Sequence, residues 1–428
     1  MNVFLTGACG FIGGAVLHAL VLRGHRVTCL ARGVAAGRLE AQGLPGVRVV
    51  RGEFTRPEEW LRHVAGHDVA INCVGILRES RRSPFVEVHR RTPFALFEAA
   101  SNLGLQKVIQ ISAAGAVPEA KTRYHHTKWC ADQRLMELDA PYVIFRPSVV
   151  YGAGGQSTEL FLTLAALPIL PVPGDGEYRL QPIHVDDLVR AILIAVEDPE
   201  TRDLVVEAGG AAPLSFRQLL EELARWLGRR DTLYFVPIPW PVVGIVAWFT
   251  ELLGGNGPIT RDEATMLRQG NTTDNGPFVE AFGFEPVSFP AGLARMPCTE
   301  ATRWRAGLAP LRTLLRLALA FVWIYTGIVS AFMYPAAESL QMLARTGLHG
   351  LVAWMALYAA SLLDFVLGAA TALRFRLRLV GWIQIAVIVT YTLILSFRMP
   401  ELWIHPFGAL SKNAVLLVAT LILIALED

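Results

Sequence analysis

"FLTGACGFIGGAV", Phe4 to Val16, runs out of an apolar stretch into a turn built on glycine. Gly7, Gly10 and Gly13 recur every third residue, whereas the common dinucleotide fingerprint is G-x-G-x-x-G. The apolar "VFL" precedes them, and "GGAVLHALVLRG" follows with Val16, Leu17, Leu20 and Val21 at helical spacing. The spacing therefore predicts a strand, a tight turn and a helix. Small residues let the backbone approach a pyrophosphate, and the free N–H groups and dipole of the helix start favour its negative charge. A glycine-rich βα turn without a ligand is the alternative, and the strand and helix on either side favour the nucleotide.

Outward from this turn, strand-like and helix-like segments alternate, as a doubly wound sheet requires. "HRVTCLAR" (His25 to Arg32), "VRVVRGEF" (Val47 to Phe54), "DVAINCVG" (Asp68 to Gly75) and "KVIQISAAG" (Lys107 to Gly115) read as the second to fifth strands. "PFALFEAASNLG" is the helix between the last two, "YVIFRPSVVYG" (Tyr142 to Gly152) a sixth strand and "DLVVEAG" (Asp203 to Gly209) a further one.

Composition requires more than this sheet. With 428 residues, 53% of them hydrophobic, and a mean hydropathy of +0.40, the chain is too apolar for an ordinary soluble enzyme. Leu317 to Ala337 and Leu379 to Phe397 carry no charge, Gly350 to Leu373 carries only Asp364, and Ala414 to Leu426 carries none. The first three runs, of about 19 to 24 residues, can cross a hydrocarbon core near 30 Å, and the fourth, of about 13, is marginal. Arg303, Arg305, Arg312 and Arg316 precede the first span, and Arg374, Arg376 and Arg378 join the second to the third. That bias predicts a multi-pass protein of the inner, cytoplasmic membrane whose nucleotide-binding domain and C-terminus face the cytoplasm. The expected fold is α/β: a doubly wound parallel Rossmann sheet with a small α/β C-terminal lobe over residues 1–300, then an all-α four-helix transmembrane domain over 308–428.

A net charge of +2, with no basic run interleaved with aromatics, gives no sign of nucleic-acid binding. Cys9, Cys29, Cys73, Cys130 and Cys298 are scattered without metal spacing, so no metal is expected, and they read as small buried residues in a reducing compartment. The first apolar run enters a glycine turn rather than a cleavage site, so no secretory leader is expected.

The second strand ends on Arg32, where an NAD site usually has an acid for the ribose 2′-hydroxyl. A guanidinium there suits a 2′-phosphate, so NADP(H) is expected over NAD(H). "RYHHTKW" supplies Tyr124 and Lys128 on one helix face, where an ammonium favours the phenolate and lowers the phenol's pKa. Such a tyrosine can pass a proton to or from a carbonyl while a nicotinamide exchanges hydride, and Ser112 in "ISAAGA" is placed to hydrogen bond the same oxygen. His125 and His126 read as exposed helix residues. In "PIHVDDL", His184, Asp186 and Asp187 read as structural, Asp187 as a helix N-cap. Asp364, an ionisable group inside a span, reads either as a site or as a residue paired with a neighbouring helix.

Taken together, "TGACGFIGG", "NCVG", "YHHTK", "RPSVVYG" and "PIHVDDL" resemble the extended and atypical short-chain dehydrogenase/reductases over roughly the first 300 residues. "VPIPWPVVGIVAWFTELLGGNGPITRDEATML" resembles the subgroup that includes the nucleotide-binding accessory subunit of respiratory complex I. "WIYTGIVSA" and "HPFGALSKN" are similar to the DoxX-like membrane family. The first resemblance implies that Gly7, Cys9, Gly10, Phe11, Ile12 and Gly13 line the pyrophosphate, Arg32 the 2′-phosphate, and Cys73, Val74 and Gly75 the cofactor beyond it. It implies Tyr124 as acid/base, Lys128 as its partner and ribose anchor, Ser112 as a third member, and Arg146 and Pro147 beside the nicotinamide. Glu53, followed by Phe54, stands where the family commonly has an Asp touching adenine. "ISAAG" lacks the paired serines of the sugar-nucleotide enzymes, which argues against an epimerase.

The segment 239–253, with Trp240, Trp248 and Phe249, is too short to span and is a candidate interfacial helix. Two readings follow. One is a membrane-tethered NAD(P)H-dependent oxidoreductase acting on a lipophilic carbonyl, quinone or isoprenoid-like substrate. The other is a non-catalytic NADPH-binding module that stabilises or regulates a membrane protein complex.

Overall fold

A computed structural model of the protein describes residues 1–80, 83–229, 233–252 and 257–427. Leu253, the end of the candidate interfacial segment, and Asp428 lie outside the described residues. The chain divides into two compact units, Met1–Arg303 and Trp304–Asp428.

The first unit is built on β1 (Asn2–Thr6), β2 (Arg26–Ala31), β3 (Val47–Arg51), β4 (Val69–Asn72), β5 (Lys107–Ile111), β6 (Tyr142–Pro147) and β7 (Leu204–Ala208). They form one sheet in the order β7-β6-β5-β4-β1-β2-β3, every pair parallel. The chain starts in the middle, winds out to β3 and returns beside β1, so the crevice of such a sheet opens between the C-terminal ends of β1 and β4. The strands are apolar throughout because both faces are covered. Val3 and Leu5 face Leu17 and Leu20 of α1 (Phe11–Leu22), while Phe4 faces Trp60 and Phe97 on the other side, as the pleat dictates.

Each expected strand is present, and those after β1 are shorter than their apolar runs because the ladder stops where the chain turns into the crevice. At that level Thr6 pairs with Asn72, and Asn72 with Gln110. Their buried side chains are also joined, Thr6 Oγ1 donating to Asn72 Oδ1 at 2.7 Å and Asn72 Nδ2 to Gln110 Oε1 at 2.8 Å. This row fixes the relative heights of three strand ends.

The helices that bear on the crevice are α2 (Gly33–Ala41), α3 (Thr92–Asn102), α4 (Arg123–Met136) and α5 (Val185–Glu197). The small lobe follows as short ribbons, with Ile169–Pro173 alongside Tyr234–Ile238 and Arg179–Leu180 against Leu214–Ser215. Asp187 is not the N-cap of α5. His184 is, its Nδ1 accepting the Asp186 N–H at 3.2 Å. The helix starts three residues earlier than expected, which turns Asp187 inward to accept from the Val287 N–H at 2.8 Å and Arg295 Nη1 at 2.9 Å.

Helix α6 (Trp240–Leu252) buries Val243, Ala247 and Thr250, packs the half-buried Trp240 against Tyr178 and Arg268, and turns its other apolar side chains outward. Ile245, Trp248, Phe249 and Leu252 expose 57, 46, 51 and 67% of their surface. It is followed by α7 (Arg261–Gln269), started by a capping box between Thr260 and Glu263. The cysteines differ from expectation: Cys29 is buried, but Cys9, in the open turn before α1, is exposed and the other three are half-buried.

In the second unit, α8 (Glu300–Ile328), α9 (Gly350–Ala372) and α10 (Leu377–Arg398) are long and apolar enough to cross a membrane. The first begins at Glu300, well before the apolar run, and contains Pro310. The last, α11 (Lys412–Leu426), has 15 residues and reaches about 22 Å at 1.5 Å per residue. Helices α8 and α9 approach closely at Gly327 and Gly368, where a Cβ would lie 2.7 Å from Ser361 O and from Ile324 N respectively. Between α9 and α10, Gln384 Nε2 donates to Thr371 Oγ1 at 2.9 Å. Arg312 in α8 grips Glu427, just after α11, at 2.8 and 2.9 Å, and Arg374 between α9 and α10 lies 3.5 Å from the same carboxylate. The three loci share one end of the bundle, so α11 returns the chain to the end where α8 began. Asp364 is buried in α9, and its Oδ1 has no partner among the described residues.

Candidate active site

The glycine turn has the shape its sequence implies. Gly7 is at φ +80°, and a Cβ on it would lie 2.8 Å from the Cys73 carbonyl carbon. A Cβ on Gly13 would lie 2.2 Å from Gly7 O, while one on Gly10 would meet the same oxygen at 3.2 Å. Gly10 is the N-cap of α1 and supplies no side chain, and the first turn holds no acid. The N–H groups of Phe11, Ile12 and Gly13 therefore find no acceptor among the described residues, and the cradle fits a dinucleotide pyrophosphate. Cys9 lies at its rim, Sγ 3.8 Å from Ala35 O. Arg32 follows β2 as the N-cap of α2 and pairs with Glu53, which follows β3. Phe54 stacks on Trp60 with ring centroids 5.9 Å apart.

Across the crevice, Lys128 is buried, and its Nζ donates to Ile111 O at 2.8 Å and Val74 O at 3.3 Å, joining the ends of β5 and β4. Burial pulls its pKa down to about 8. Tyr124, one turn earlier, is ringed edge-on by Phe85, His89 and His125 at 6.1, 5.4 and 5.1 Å. The expected lowering of its pKa is not found: burial pushes the phenol up to about 12, and the lysine is turned to main-chain carbonyls instead. Gly75 abuts this lysine, since a Cβ there would lie 3.2 Å from Nζ.

Ser112 does not face the cleft with a free proton. Its hydroxyl donates to Asp132 Oδ2 at 2.8 Å, which also receives Arg146 Nε at 2.9 Å. Asp132 is fully buried; burial raises its pKa to about 6 even though Arg146 opposes the shift. Pro147, at the end of β6, is buried. His125 is likewise not exposed, because Thr122 caps the helix beneath it and draws its ring inward. His126 is exposed.

Two participants carry no recognisable local signal. His89 is buried, its Nε2 accepting the Ile76 N–H at 3.0 Å and its Nδ1 lying 3.2 Å from Thr127 Oγ1, so it holds the loop after β4. Arg78 in that loop grips Glu263 of α7 at 2.7 and 2.8 Å and donates to Gly257 O and Pro258 O. Helix α7, which follows the apolar α6, is thereby latched to the mouth of the site. Only long-range partners define either role.

Residues 3–208 match the NAD dependent epimerase/dehydratase family and residues 320–421 the DoxX-like family. The chain is 23% identical over 258 residues to NADH dehydrogenase [ubiquinone] 1 alpha subcomplex subunit 9 of Mus musculus, a match spanning 58% of this chain and 66% of the subunit. It is 26% identical over 238 residues to a ceramide reductase of Caulobacter vibrioides, covering 55% of this chain and 74% of the reductase. Among solved structures, UDP-glucuronic acid 4-epimerase from Bacillus cereus superposes with a TM-score of 0.55 at 19% identity, covering 73% of this chain and all of the epimerase. The last likeness concerns the fold alone.

Proposed function

We infer, from a chain that joins an NAD(P)-binding Rossmann domain of the short-chain dehydrogenase/reductase type to a DoxX-like domain, that it is a membrane-tethered NADPH-dependent reductase of a lipophilic carbonyl compound. One observation carries this reading: the Tyr124 and Lys128 pair lies beside a loop latched to α7, directly after a helix whose Trp248, Phe249 and Leu252 face outward. A face of that composition suits the bilayer interface, and α6 there opens the cleft toward lipid. The ceramide reductase, which acts on a lipid by its name, supports the same substrate class. The experiment is NADPH oxidation in vesicles containing either a long-chain or a short, water-soluble ketone. Trp248→Glu with Phe249→Glu should raise KM for the long-chain ketone about tenfold, the loss of roughly 1.4 kcal/mol of apolar contact, and leave the soluble one unchanged. Equal effects on both would refute the interfacial role of α6.

When bound, a reduced nicotinamide supplies hydride to the carbonyl carbon. The protein's part is to hold the pyrophosphate on the Phe11 to Gly13 N–H groups, to fix Val74 and Ile111 through Lys128, and to deliver the Tyr124 Oη proton to the substrate oxygen. Preference for NADPH rests on Arg32, which would exchange Glu53 for the 2′-phosphate. Arg32→Asp should then invert the order of NADPH and NADH affinities, at a cost on the order of 1.5–3 kcal/mol for the lost charge-assisted contact. Equal wild-type affinity for both cofactors refutes the assignment.

The arginines at one end of the bundle support a cytoplasmic position for that end. Reporter fusions after Leu340 and Trp403 should report outside it, and fusions after Arg376 and at Asp428 inside. A C-terminal reporter found outside means that α11 does not cross.

A further inference from the structure

Carbonyl reduction builds negative charge on the substrate oxygen, and one proton from Tyr124 leaves that oxygen short of a second donor in the cleft. Ser112 does not serve, since its proton goes to Asp132. Ala113, Ala114, Gly115 and Ala116, which follow it, carry no side-chain donor.

On the premise that the site reduces a carbonyl, we propose that the Nε2–H of His125 is this second donor. His125 lies in the first turn of α4, its ring 5.1 Å from that of Tyr124 and at 71° to it. It sits over Gly115 at the end of the β5 segment, where a Cβ would lie 3.5 Å from Nε2. Thr122 fixes the tautomer. Its Oγ1 accepts the His125 N–H at 3.3 Å and lies 2.9 Å from Nδ1. Thr122 is buried, and Nδ1 is the one acceptor within reach of its hydroxyl proton among the described residues. Nδ1 therefore accepts, and the ring proton resides on Nε2. That nitrogen makes no hydrogen bond to any described residue.

Burial draws the His125 pKa down to about 4, so the ring is a neutral donor at neutral pH. His89, the other ring beside Tyr124, is excluded because both its nitrogens are engaged. In the step itself a hydride, which a bound reduced nicotinamide would release from its C4–H bond and so become oxidised, adds to the carbonyl carbon, the π pair of the C=O bond moves to oxygen, and Tyr124 Oη gives that oxygen its proton. His125 donates a hydrogen bond without releasing its proton. Water reprotonates the phenolate, and the product is the alcohol.

The test uses the full-length protein in detergent, NADPH, and a panel of long-chain 2-ketones from 2-octanone to 2-tetradecanone. His125→Ala should lower kcat roughly 10²- to 10³-fold, the usual loss for one such donor, with NADPH affinity within twofold of wild type. His125→Gln, which restores a neutral N–H, should recover at least a tenth of the activity. In the wild type, 15N spectra of labelled histidine should show His125 as the neutral Nε2–H tautomer at pH 7, with or without substrate. An Nδ1–H tautomer, or a fully active His125→Ala beside an inactive Tyr124→Phe, overturns the role of His125 and leaves the reductase reading standing. A wild type inert to the whole panel overturns both.

Discussion

Tyr124→Phe is expected to stop hydride transfer, with kcat falling roughly 10²- to 10⁴-fold as the proton donor is lost, while NADPH affinity stays within a factor of two. The ring contacts with Phe85, His89 and His125 survive the change, so folding should not be disturbed. The cofactor cradle on α1 is untouched. This variant also separates the two functional classes when set beside Gly13→Val, whose Cβ would overlap Gly7 O at 2.2 Å. A non-catalytic module would tolerate Tyr124→Phe in vivo but lose folded protein with Gly13→Val, whose side chain would force the turn and its cofactor cradle apart at Gly7. A strain that needs Gly13 and not Tyr124 therefore assigns the protein to the structural class. A Gly10 substitution, whose added carbon would sit 3.2 Å from the same oxygen, is the milder block of the pyrophosphate.

The second large effect is on stability. Asp132→Ala leaves the Arg146 guanidinium and the Ser112 hydroxyl without their shared acceptor in a buried place. Removing one partner of a buried pair costs about 3–5 kcal/mol, chiefly through the charge left behind. The melting temperature in detergent should fall by on the order of 10 °C. Asp132→Ala combined with Arg146→Leu should recover part of it, since the orphaned charge is gone. A single variant as stable as wild type would mean that Arg146 finds water instead.

Much of the fold was legible because parallel strands covered on both faces read as unbroken apolar runs. "VAIN" and "KVIQI" need no alternation to be recognised. Cradle and lysine were legible too, since Gly7, Gly13 and the Tyr124–Lys128 spacing are local patterns. What escaped depends on partners far along the chain. Asp187 looks like a cap to any local rule, yet its carboxylate meets Val287 and Arg295, a hundred residues on. Asp132 follows Lys128 by one turn and reads as an ordinary helix acid until Ser112 and Arg146 arrive from other strands. The phenol was misjudged for the same reason. Helical spacing places an ammonium near it, but two strand-end carbonyls compete for that ammonium and win.

The buried row of Thr6, Asn72 and Gln110 limits how this cleft can diverge. Hydrogen bonds of 2.7 and 2.8 Å tie three strand ends to one another, and Asn72 Oδ1 also accepts the Val74 N–H at 3.2 Å, so the same row anchors the start of the loop after β4. Loops beyond Val74 and the lobe can then be exchanged or lengthened while the floor beneath the candidate site stays put. An apolar replacement at Asn72 would match the core in volume, but it would take the donor from Gln110 Oε1 and leave the Thr6 hydroxyl, among the described residues, only the Ile71 carbonyl at 3.4 Å. Sequence change in this architecture is thus better tolerated in the outer loops, and its cost is concentrated in three fully buried side chains.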